Sequence, residues 1–213
     1  MELTNQWYYY PSELGDDVCK NLISLGGSRF QDAHIDDRNR EYSPEERISG
    51  AEEVKAVNKS RRSSEVAWTS ERWVYDLIFK YLNDANEKSG WDFYIRSAAN
   101  VQITRYNTGD FYKFHTDGRS DNLSTYDMPD NPLYHGYVRK LSMSILLNED
   151  FDGGKFQFAG YRDGECTIEN PSPEFKKTGS ILIFPSCMEH RVTEVTRGAR
   201  YSLIAWFLGP PFK

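Results

Sequence analysis

The spacing of apolar residues predicts two amphipathic helices in the N-terminal third of the chain. The first follows Ser12, which can cap a helix, and stops at Gly26-Gly27; its apolar positions are Leu14, Val18, Leu22 and Leu25. The second follows Ser70 and ends before Ser89-Gly90; its apolar positions are Val74, Leu77, Ile78, Tyr81 and Leu82. The intervening segment, from about Asp32 to Ser64, is polar and mixed in charge, so we interpret it as an excursion or mobile loop.

After Trp91 the pattern changes to short runs of β-branched and aromatic residues separated by turn residues. Strands are expected near Phe93–Ser97, Val101–Tyr106, Phe111–His115, Lys140–Leu147, Lys155–Phe158, Glu165–Ile168, Ser180–Phe184, His190–Val195 and Arg200–Phe207. The expected turns are Asn107-Thr108-Gly109-Asp110, Asp152-Gly153-Gly154 and Arg197-Gly198.

Short strands preceded by helices indicate a mainly β (α+β) protein, with a double-sheet barrel such as a jelly roll buttressed by helices. We expect a single domain over residues 1–213, in which residues 1–92 supply helical support and a polar loop and residues 93–213 supply the strands. The long insertion 118–138 is rich in glycine, proline, asparagine and aspartate. Loops this long are usually functional lids or disordered segments, and its position beside the candidate site described below favours a lid.

Composition and charge narrow the class of protein. The chain is 38% hydrophobic and 15% aromatic, which is typical of a folded globular protein and not of a disordered one. Its 26 Lys and Arg residues against 32 Asp and Glu residues give a net charge of -6. Nucleic acid and membrane surfaces are therefore not expected as partners.

The sequence also bears on cellular location. No apolar run, such as Ile181–Phe184, approaches the ~20 residues that span a bilayer, and the first six residues lack a basic region. Cys19, Cys166 and Cys187 are odd in number and share no Cys-x-x-Cys spacing, which favours reduced thiols. A cytoplasmic protein is the expectation.

Candidate metal ligands stand at the end of one predicted strand and the start of another. His115-x-Asp117 places an imidazole and a carboxylate two residues apart, and His190 follows the apolar strand Ser180–Phe184. Two histidines and one carboxylate are the facial ligand set of non-heme Fe(II) oxygenases. The competing interpretation is that the two histidines are unrelated core or surface residues.

A basic residue in the last apolar strand is the candidate anchor for a second ligand. Arg200 and Ser202 project to the same face of a strand whose other positions are apolar. A buried guanidinium needs a carboxylate partner, which could be a protein Asp or Glu, or a diacid held beside the metal.

Several motifs of this chain resemble the Fe(II)- and 2-oxoglutarate-dependent dioxygenases, and within them the prolyl/lysyl hydroxylase-like group. The matching segments are Arg105-Tyr106-Asn107-Thr108-Gly109-Asp110-Phe111-Tyr112-Lys113-Phe114-His115-Thr116-Asp117, Leu141–Asn148 with Asp152-Gly153-Gly154, and Phe184-Pro185 through Val192 with Arg200. The resemblance covers about Val101 to Leu208, half of the chain. Collagen-type relatives usually carry lysine at the position of Arg200, so the likeness is to the bacterial and phage-like branch.

The resemblance implies a double-stranded β-helix (jelly roll) with N-terminal helices packed on its outer face. It implies Fe(II) held by His115, Asp117 and His190, with 2-oxoglutarate and O2 as cosubstrates and ascorbate as an optional addition. It gives Arg200 the distal carboxylate of 2-oxoglutarate and Tyr106 a hydrogen bond to that cosubstrate, and Ser202 is an added donor. Halogenating relatives lack the carboxylate ligand, so Asp117 favours hydroxylation.

Three functions are kept open: hydroxylation of an aliphatic carbon in a peptidyl prolyl or similar residue, hydroxylation of a free amino acid or other small molecule, and a non-catalytic jelly-roll binding module. The expected substrate is accordingly a peptide, a protein or a small molecule. Core packing or solvent exposure is the favoured explanation for Arg61, Arg62, Tyr112, His135 and Trp206, and Cys187 is not needed by a ligand set that is already complete.

Overall fold

The computed structural model describes residues 5–33, 60–118, 125–172 and 175–212. Two α-helices within these ranges, α1 (Asp16–Gly26) and α2 (Arg72–Lys88), lie where the apolar spacing predicts them. The predicted Ser12 cap is wrong, because Gly15 precedes α1 and makes no side-chain cap hydrogen bond. The Ser12 hydroxyl instead donates to the Thr178 carbonyl at 3.1 Å, which ties the N-terminal segment to a distant loop.

Strands make up most of the regular secondary structure in the described residues. They are β1 (Tyr8–Tyr10), β2 (Gln31–Asp32), β3 (Arg62–Ser63), β4 (Glu65–Thr69), β5 (Ser97–Ala98), β6 (Val101–Tyr106), β7 (Phe111–His115), β8 (Val138–Leu146), β9 (Phe151–Gly153), β10 (Phe156–Arg162), β11 (Glu165–Glu169), β12 (Ile181–Pro185), β13 (His190–Val192), β14 (Val195–Gly198) and β15 (Arg200–Gly209). The bounds of β6 and β7 agree with the predicted ones to the residue.

The strands form two principal antiparallel sheets. The larger has eight strands in the order β1-β12-β8-β15-β6-β4-β2, with β5 paired to β15, and the smaller has the order β11-β10-β13-β7-β3. A third, two-stranded sheet pairs β14 with β9. Strands that precede residue 93 extend both principal sheets. This double-sheet arrangement confirms the predicted jelly-roll fold class.

The large sheet buries both of its faces, as β8 illustrates. Leu141, Met143 and Ile145 belong to the apolar core shared with α1 and α2, which cover one face. Leu146 belongs to the core on the other face, with Phe156 and Phe158 of the small sheet. Since successive side chains of a strand alternate between faces, Ser142 and Ser144 point with Leu146 into the space between the sheets.

Two predicted strands are corrected. Residues 93–96 are not a strand, because the Asn86 side chain hydrogen-bonds the backbone groups of Phe93. Its amide donates to the Phe93 carbonyl at 2.9 Å, and its oxygen accepts from the Phe93 N–H at 3.0 Å. The predicted strand His190–Val195 is two strands in different sheets, since β13 pairs with β7 and β10 whereas β14 pairs with β9.

The two predicted loops are described only in part. Residues 34–59 of the polar segment lie outside the described residues, while its ends form the edge strands β2 and β3. Residues 119–124 of the insertion 118–138 also lie outside them. Within 125–137, Tyr126 and Tyr134 pack with Trp206 and Leu208, so this part of the insertion is attached to the framework. Its role as a lid stays a prediction.

Candidate metal and cosubstrate site

Sheet pairing brings the three candidate ligands together. His115 ends β7, His190 begins the adjacent antiparallel strand β13, and the two residues lie directly opposite each other. Asp117 follows β7 by two residues, and its carboxylate oxygens lie 3.7 Å from the Nε2 atoms of His115 and His190. The candidate ligand atoms all lie within 4.8 Å of one another. These residues therefore converge on one point between the sheets.

Hydrogen bonds orient both imidazoles toward this point. The Nδ1 atoms of His115 and His190 lie 2.8 Å and 2.9 Å from the carbonyl oxygens of Lys113 and Met188. A carbonyl only accepts, so each Nδ1 carries the proton and each Nε2 keeps a free lone pair. This second contact fixes the tautomer and the ring orientation that a metal ligand requires.

The site holds His115 and Asp117 in the protonation states that a cation needs. Burial, together with the neighbouring His190, lowers the pKa of His115 to about 3, so His115 is neutral at physiological pH. Burial opposes ionisation of Asp117, but His190, His115, Arg139 and the Ser142 hydroxyl together hold its pKa below the usual range. A neutral imidazole beside an ionised carboxylate is ready to bind a metal.

Aromatic side chains surround the two histidines. The Tyr112 ring stacks on His115 with a centroid distance of 3.5 Å and an interplanar angle of 15°, and Phe156 stacks on His190 at 5.2 Å and 11°. Phe184 meets His190 at 4.8 Å and 67°. These contacts restrict rotation of both imidazoles and keep water away from their faces.

A buried arginine lines the same space. Arg200, which is 1% exposed, begins β15 opposite Tyr106 on β6, and its guanidinium carbon lies 5.6 Å from the Tyr106 ring centroid. Its Nη1 donates to the Ser202 hydroxyl at 3.0 Å, while its Nη2 has no hydrogen-bond partner within the described structure. Burial lowers the pKa of Arg200 to about 10, which leaves it charged at neutral pH. No ion pair of Arg200 with a carboxylate occurs among the described residues, so its free donor fits an anion.

A cavity lies between the sheets beside the candidate ligands. The space that it encloses, open solvent included, is about 440 Å³. All six predicted site residues line it: Tyr106, His115, Asp117, His190, Arg200 and Ser202. The other lining residues are Arg62, Gln102, Tyr112, Met143, Ser144, Phe156, Phe184, Val192, Ile204 and Trp206.

Sequence reasoning missed part of this lining. Ser144 belongs to it: Ser142 and Ser144 alternate with apolar residues in β8, and that alternation is the signal that the Ser144 hydroxyl lies on the inner face. The side chains of Ser144 and Trp206 each hold a buried polar atom without a partner in the described structure. His135 and Cys187, in contrast, are exposed and lie outside the lining.

The residues present therefore fit the two groups that the motifs imply. The neutral-imidazole and carboxylate donors suit a divalent ion such as Fe(II), and the unpartnered guanidinium donor suits a carboxylate beside that ion. The fold and the site together define a metal- and oxoacid-binding double-stranded β-helix.

Comparisons with known proteins agree with that class. Residues 101–208 match the family model described as the 2OG-Fe(II) oxygenase superfamily. A PKHD-type hydroxylase of Idiomarina loihiensis is 31% identical over 116 residues, 52% of this chain and 43% of that protein. Human prolyl 3-hydroxylase 2 is 27% identical over 211 residues, 93% of this chain and 29% of that protein. The chain thus spans less than half the length of these curated relatives.

Solved structures show the same fold. A Pseudomonas putida prolyl-4-hydroxylase superposes with a TM-score of 0.60 at 19% identity, covering 96% of this chain and 92% of that one. A Trichoplax adhaerens prolyl hydroxylase, solved with a peptide fragment of the hypoxia inducible factor oxygen degradation domain, has a TM-score of 0.64 at 15% identity, covering 96% of this chain and 84% of that one.

The chain belongs to the 2OG-Fe(II) oxygenase superfamily. The likeness to the prolyl/lysyl hydroxylase-like group that the sequence predicts is confirmed by these relatives. The family itself implies Fe(II), 2-oxoglutarate and O2, as predicted. Among the residues that the structure describes, neither helix combines the length and the apolar character that crossing a membrane requires.

Proposed function

We propose that this chain is an Fe(II)- and 2-oxoglutarate-dependent hydroxylase that acts on an aliphatic carbon of a peptidyl prolyl or similar residue. One observation carries the proposal: a His-carboxylate-His cluster shares its cavity with a buried arginine donor, Nη2 of Arg200, that lacks a protein partner in the described structure. We further propose that residues 1–213 act as a single dioxygenase domain, with residues 93–213 as its β-helix core.

In this proposal His115, Asp117 and His190 hold Fe(II), which with 2-oxoglutarate and O2 supplies the oxidising chemistry and yields succinate and CO2. The protein fixes the geometry. Nδ1–H bonds to the carbonyls of Lys113 and Met188 keep both Nε2 atoms directed at the ion.

Arg200 binds the distal carboxylate of the cosubstrate through its free Nη2, with Ser202 holding the other guanidinium nitrogen in place. The Tyr106 side chain, opposite Arg200 on the neighbouring strand, hydrogen-bonds the same cosubstrate. A charged hydrogen bond in this buried position is strong because little water competes for it.

The rim of the cavity supports a peptide as the substrate. Trp68 is 41% exposed, faces the same side of the large sheet as Gln102, and lies 6.2 Å from the Trp206 ring. On the opposite side, the Arg62 guanidinium lies 4.7 Å from the centroid of the Tyr112 ring. An exposed tryptophan ring on one side and a guanidinium donor on the other suit an extended, proline-containing segment.

The test incubates the iron-loaded protein with 2-oxoglutarate and a library of proline-containing peptides, and follows succinate together with the addition of one oxygen atom to the peptide. Free proline and other free amino acids are tested in parallel, and the His190→Ala protein is the control for background oxidation. Peptide hydroxylation coupled to succinate supports the proposal. Modification of free amino acids alone supports a small-molecule hydroxylase, and the absence of any turnover supports a binding module.

A further inference from the structure

One hydroxyl group in the lining of the cavity has no hydrogen-bond partner. Ser144 lies on β8 and is 1% exposed, and its Oγ atom has no partner in the part of the chain that the structure describes. A buried hydroxyl without a partner destabilises the folded chain, because it has lost its hydrogen bonds to water and gains none in return. A ligand that enters the cavity can supply the missing partner.

The neighbours of Ser144 in the large sheet are apolar. The register places Ser144 opposite Leu182 on β12 and opposite Ile204 on β15. Leu182 belongs to the apolar core between the sheets, and Ile204 lines the cavity. The next residue in this row is Gln102 on β6, whose side-chain amide donates to the Thr104 hydroxyl at 2.6 Å. The Ser144 hydroxyl therefore faces the cavity without competition from a polar neighbour on either side.

The register of the large sheet also locates Ser144 relative to Arg200. Arg200 begins β15, and its Nη1 donates to the Ser202 hydroxyl at 3.0 Å. Ser202 lies opposite Leu146 on β8, two residues from Ser144. Residues two apart on a strand point to the same face, with Cα atoms about 6.8 Å apart. Ser144 is therefore one such step from the end of the cavity at which the guanidinium is held.

The candidate metal ligands lie in the opposite direction from Ser144. Ser142, two residues away along β8, lies opposite Phe184 on β12. The Phe184 ring meets the His190 ring at a centroid distance of 4.8 Å, and the candidate ligand atoms cluster around that histidine. Ser144 thus stands between the ligand set and Arg200, where the middle of a small oxoacid that contacts both would lie.

We propose that Ser144 is a further cosubstrate-binding residue, whose hydroxyl donates a hydrogen bond to 2-oxoglutarate at the end of that molecule nearer the metal ligands. The inference rests on the proposed function, which places 2-oxoglutarate between the metal ligands and Arg200. Arg200 binds the distal carboxylate, so the oxygen atoms that remain for Ser144 are those of the 2-oxo group and the adjoining carboxylate. Each of these oxygens is an acceptor, and a serine hydroxyl supplies one donor.

The experiment compares Ser144→Ala with Ser89→Ala. The Ser89 hydroxyl, at the C-terminal end of α2, is also buried and has no partner in the described structure, but Ser89 does not line the cavity. Calorimetric titration of the Co(II)-loaded full chain with 2-oxoglutarate measures binding without turnover. Ser144→Ala should weaken this binding about tenfold or more, because a hydrogen bond to a charged group is lost. Ser89→Ala should bind 2-oxoglutarate with wild-type affinity.

Two further measurements test where and how the hydroxyl acts. Pyruvate has the 2-oxo group and the adjoining carboxylate but no distal carboxylate, so Ser144→Ala should weaken the binding of pyruvate and of 2-oxoglutarate by the same factor. The unfolding free energy of the metal-free chain should not fall in Ser144→Ala, because the hydroxyl has no protein partner to lose.

Wild-type affinity for 2-oxoglutarate in Ser144→Ala, or an equal loss in Ser89→Ala, would overturn this proposal. A loss for 2-oxoglutarate that is absent for pyruvate would overturn the assignment to the end nearer the metal ligands. A lower unfolding free energy of metal-free Ser144→Ala would show that the hydroxyl has a protein partner, which also contradicts the proposal. A failure of the proposed hydroxylase function is seen separately, as wild-type protein that binds 2-oxoglutarate but does not convert it to succinate.

Discussion

Gly154 lies directly against the side chain of Arg200. A Cβ atom at position 154 would stand 2.9 Å from the Arg200 Cδ and 3.1 Å from a methyl of Val195, and Gly154 has a φ of +54°. Only a residue without a side chain leaves Arg200 in its present position. The Gly153-Gly154 sequence thus has a second role beside its part in connecting β9 to β10.

We predict that Gly154→Ala weakens 2-oxoglutarate binding about tenfold or more, because the added methyl displaces the Arg200 stem, while Co(II) affinity is retained. Calorimetric titration of the metal-free protein with Co(II) measures the metal affinity, and titration of the Co(II)-loaded protein with 2-oxoglutarate measures the cosubstrate affinity. Gly109→Ala is the control, since Gly109 also has a positive φ, +91°, but a Cβ there meets nothing within 4 Å. Both variants should lose about 1–2 kcal/mol of stability from backbone strain. Equal 2-oxoglutarate affinities in the two variants would contradict the prediction.

Arg200→Ala is predicted to weaken 2-oxoglutarate binding by about 1.5–3 kcal/mol, the value of a hydrogen bond to a charged group, or roughly 10- to 150-fold. Metal affinity should change little. Competition with 2-oxoacids that lack the distal carboxylate, such as pyruvate, gives the sharper measurement. The wild-type protein should discriminate strongly against them and the variant should not; equal discrimination by both proteins would place the anchor at another residue.

Metal binding is predicted to stabilise the folded chain through His190. With metal at about 100 times its Kd, the unfolding free energy should rise by about 2.7 kcal/mol, and removal of the metal by a chelator should reverse the gain. His190→Ala removes one of three donors and should abolish this effect. His135→Ala is the matched control, because His135 is half-exposed in the 125–137 segment and lies outside the cavity lining. Metal stabilisation that survives in His190→Ala would show that the ligand assignment is wrong.

Helices and strands that are defined by a local pattern of residues could be predicted from the sequence. β6 and β7 are bounded by the turn residues Asn107 to Asp110, whose Asp110 N–H donates to the Asn107 carbonyl at 2.9 Å. The helices followed from apolar spacing, and the six predicted site residues line one cavity because each stands in or beside a strand with a clear pattern.

Features that depend on distant pairing could not be predicted in this way. β3 has two residues, Arg62 and Ser63, and is a strand only because it pairs with β7. The tyrosines of β1 carry no alternation of polar and apolar residues, and pairing with β12 sets their conformation. The contact between the Oγ atoms of Ser142 and Ser186, at 2.9 Å, likewise joins residues 44 positions apart, and no local pattern predicts it.

The last prediction concerns acid stability. Glu65 on β4 accepts from Arg105 at 2.7 Å and from Asn107 at 2.7 Å, and the bond to Arg105 above all lowers the pKa of Glu65. The unfolded chain therefore binds a proton more readily, so this contribution is present above about pH 4.5 and is lost as the pH falls through the lowered pKa. Glu65→Gln should lower the unfolding free energy by up to about 1 kcal/mol at pH 7. It should also make the unfolding free energy fall less steeply at acid pH. Urea unfolding between about pH 3 and 7 measures both.

Asp152→Asn is the matched control for this prediction. The Arg197 Nε lies 2.6 Å from the Asp152 carboxylate, but the two side chains are 70% and 60% exposed, against 29% and 25% for Arg105 and Glu65. Water and salt screen the exposed pair. Asp152→Asn should therefore leave the unfolding free energy at neutral pH, and its decrease at acid pH, close to those of the wild type. The ion pair of Glu65 with Arg105 joins β4 to β6 within the large sheet, so its loss should destabilise that sheet. Identical pH profiles for Glu65→Gln and Asp152→Asn would show that burial does not distinguish the two ion pairs.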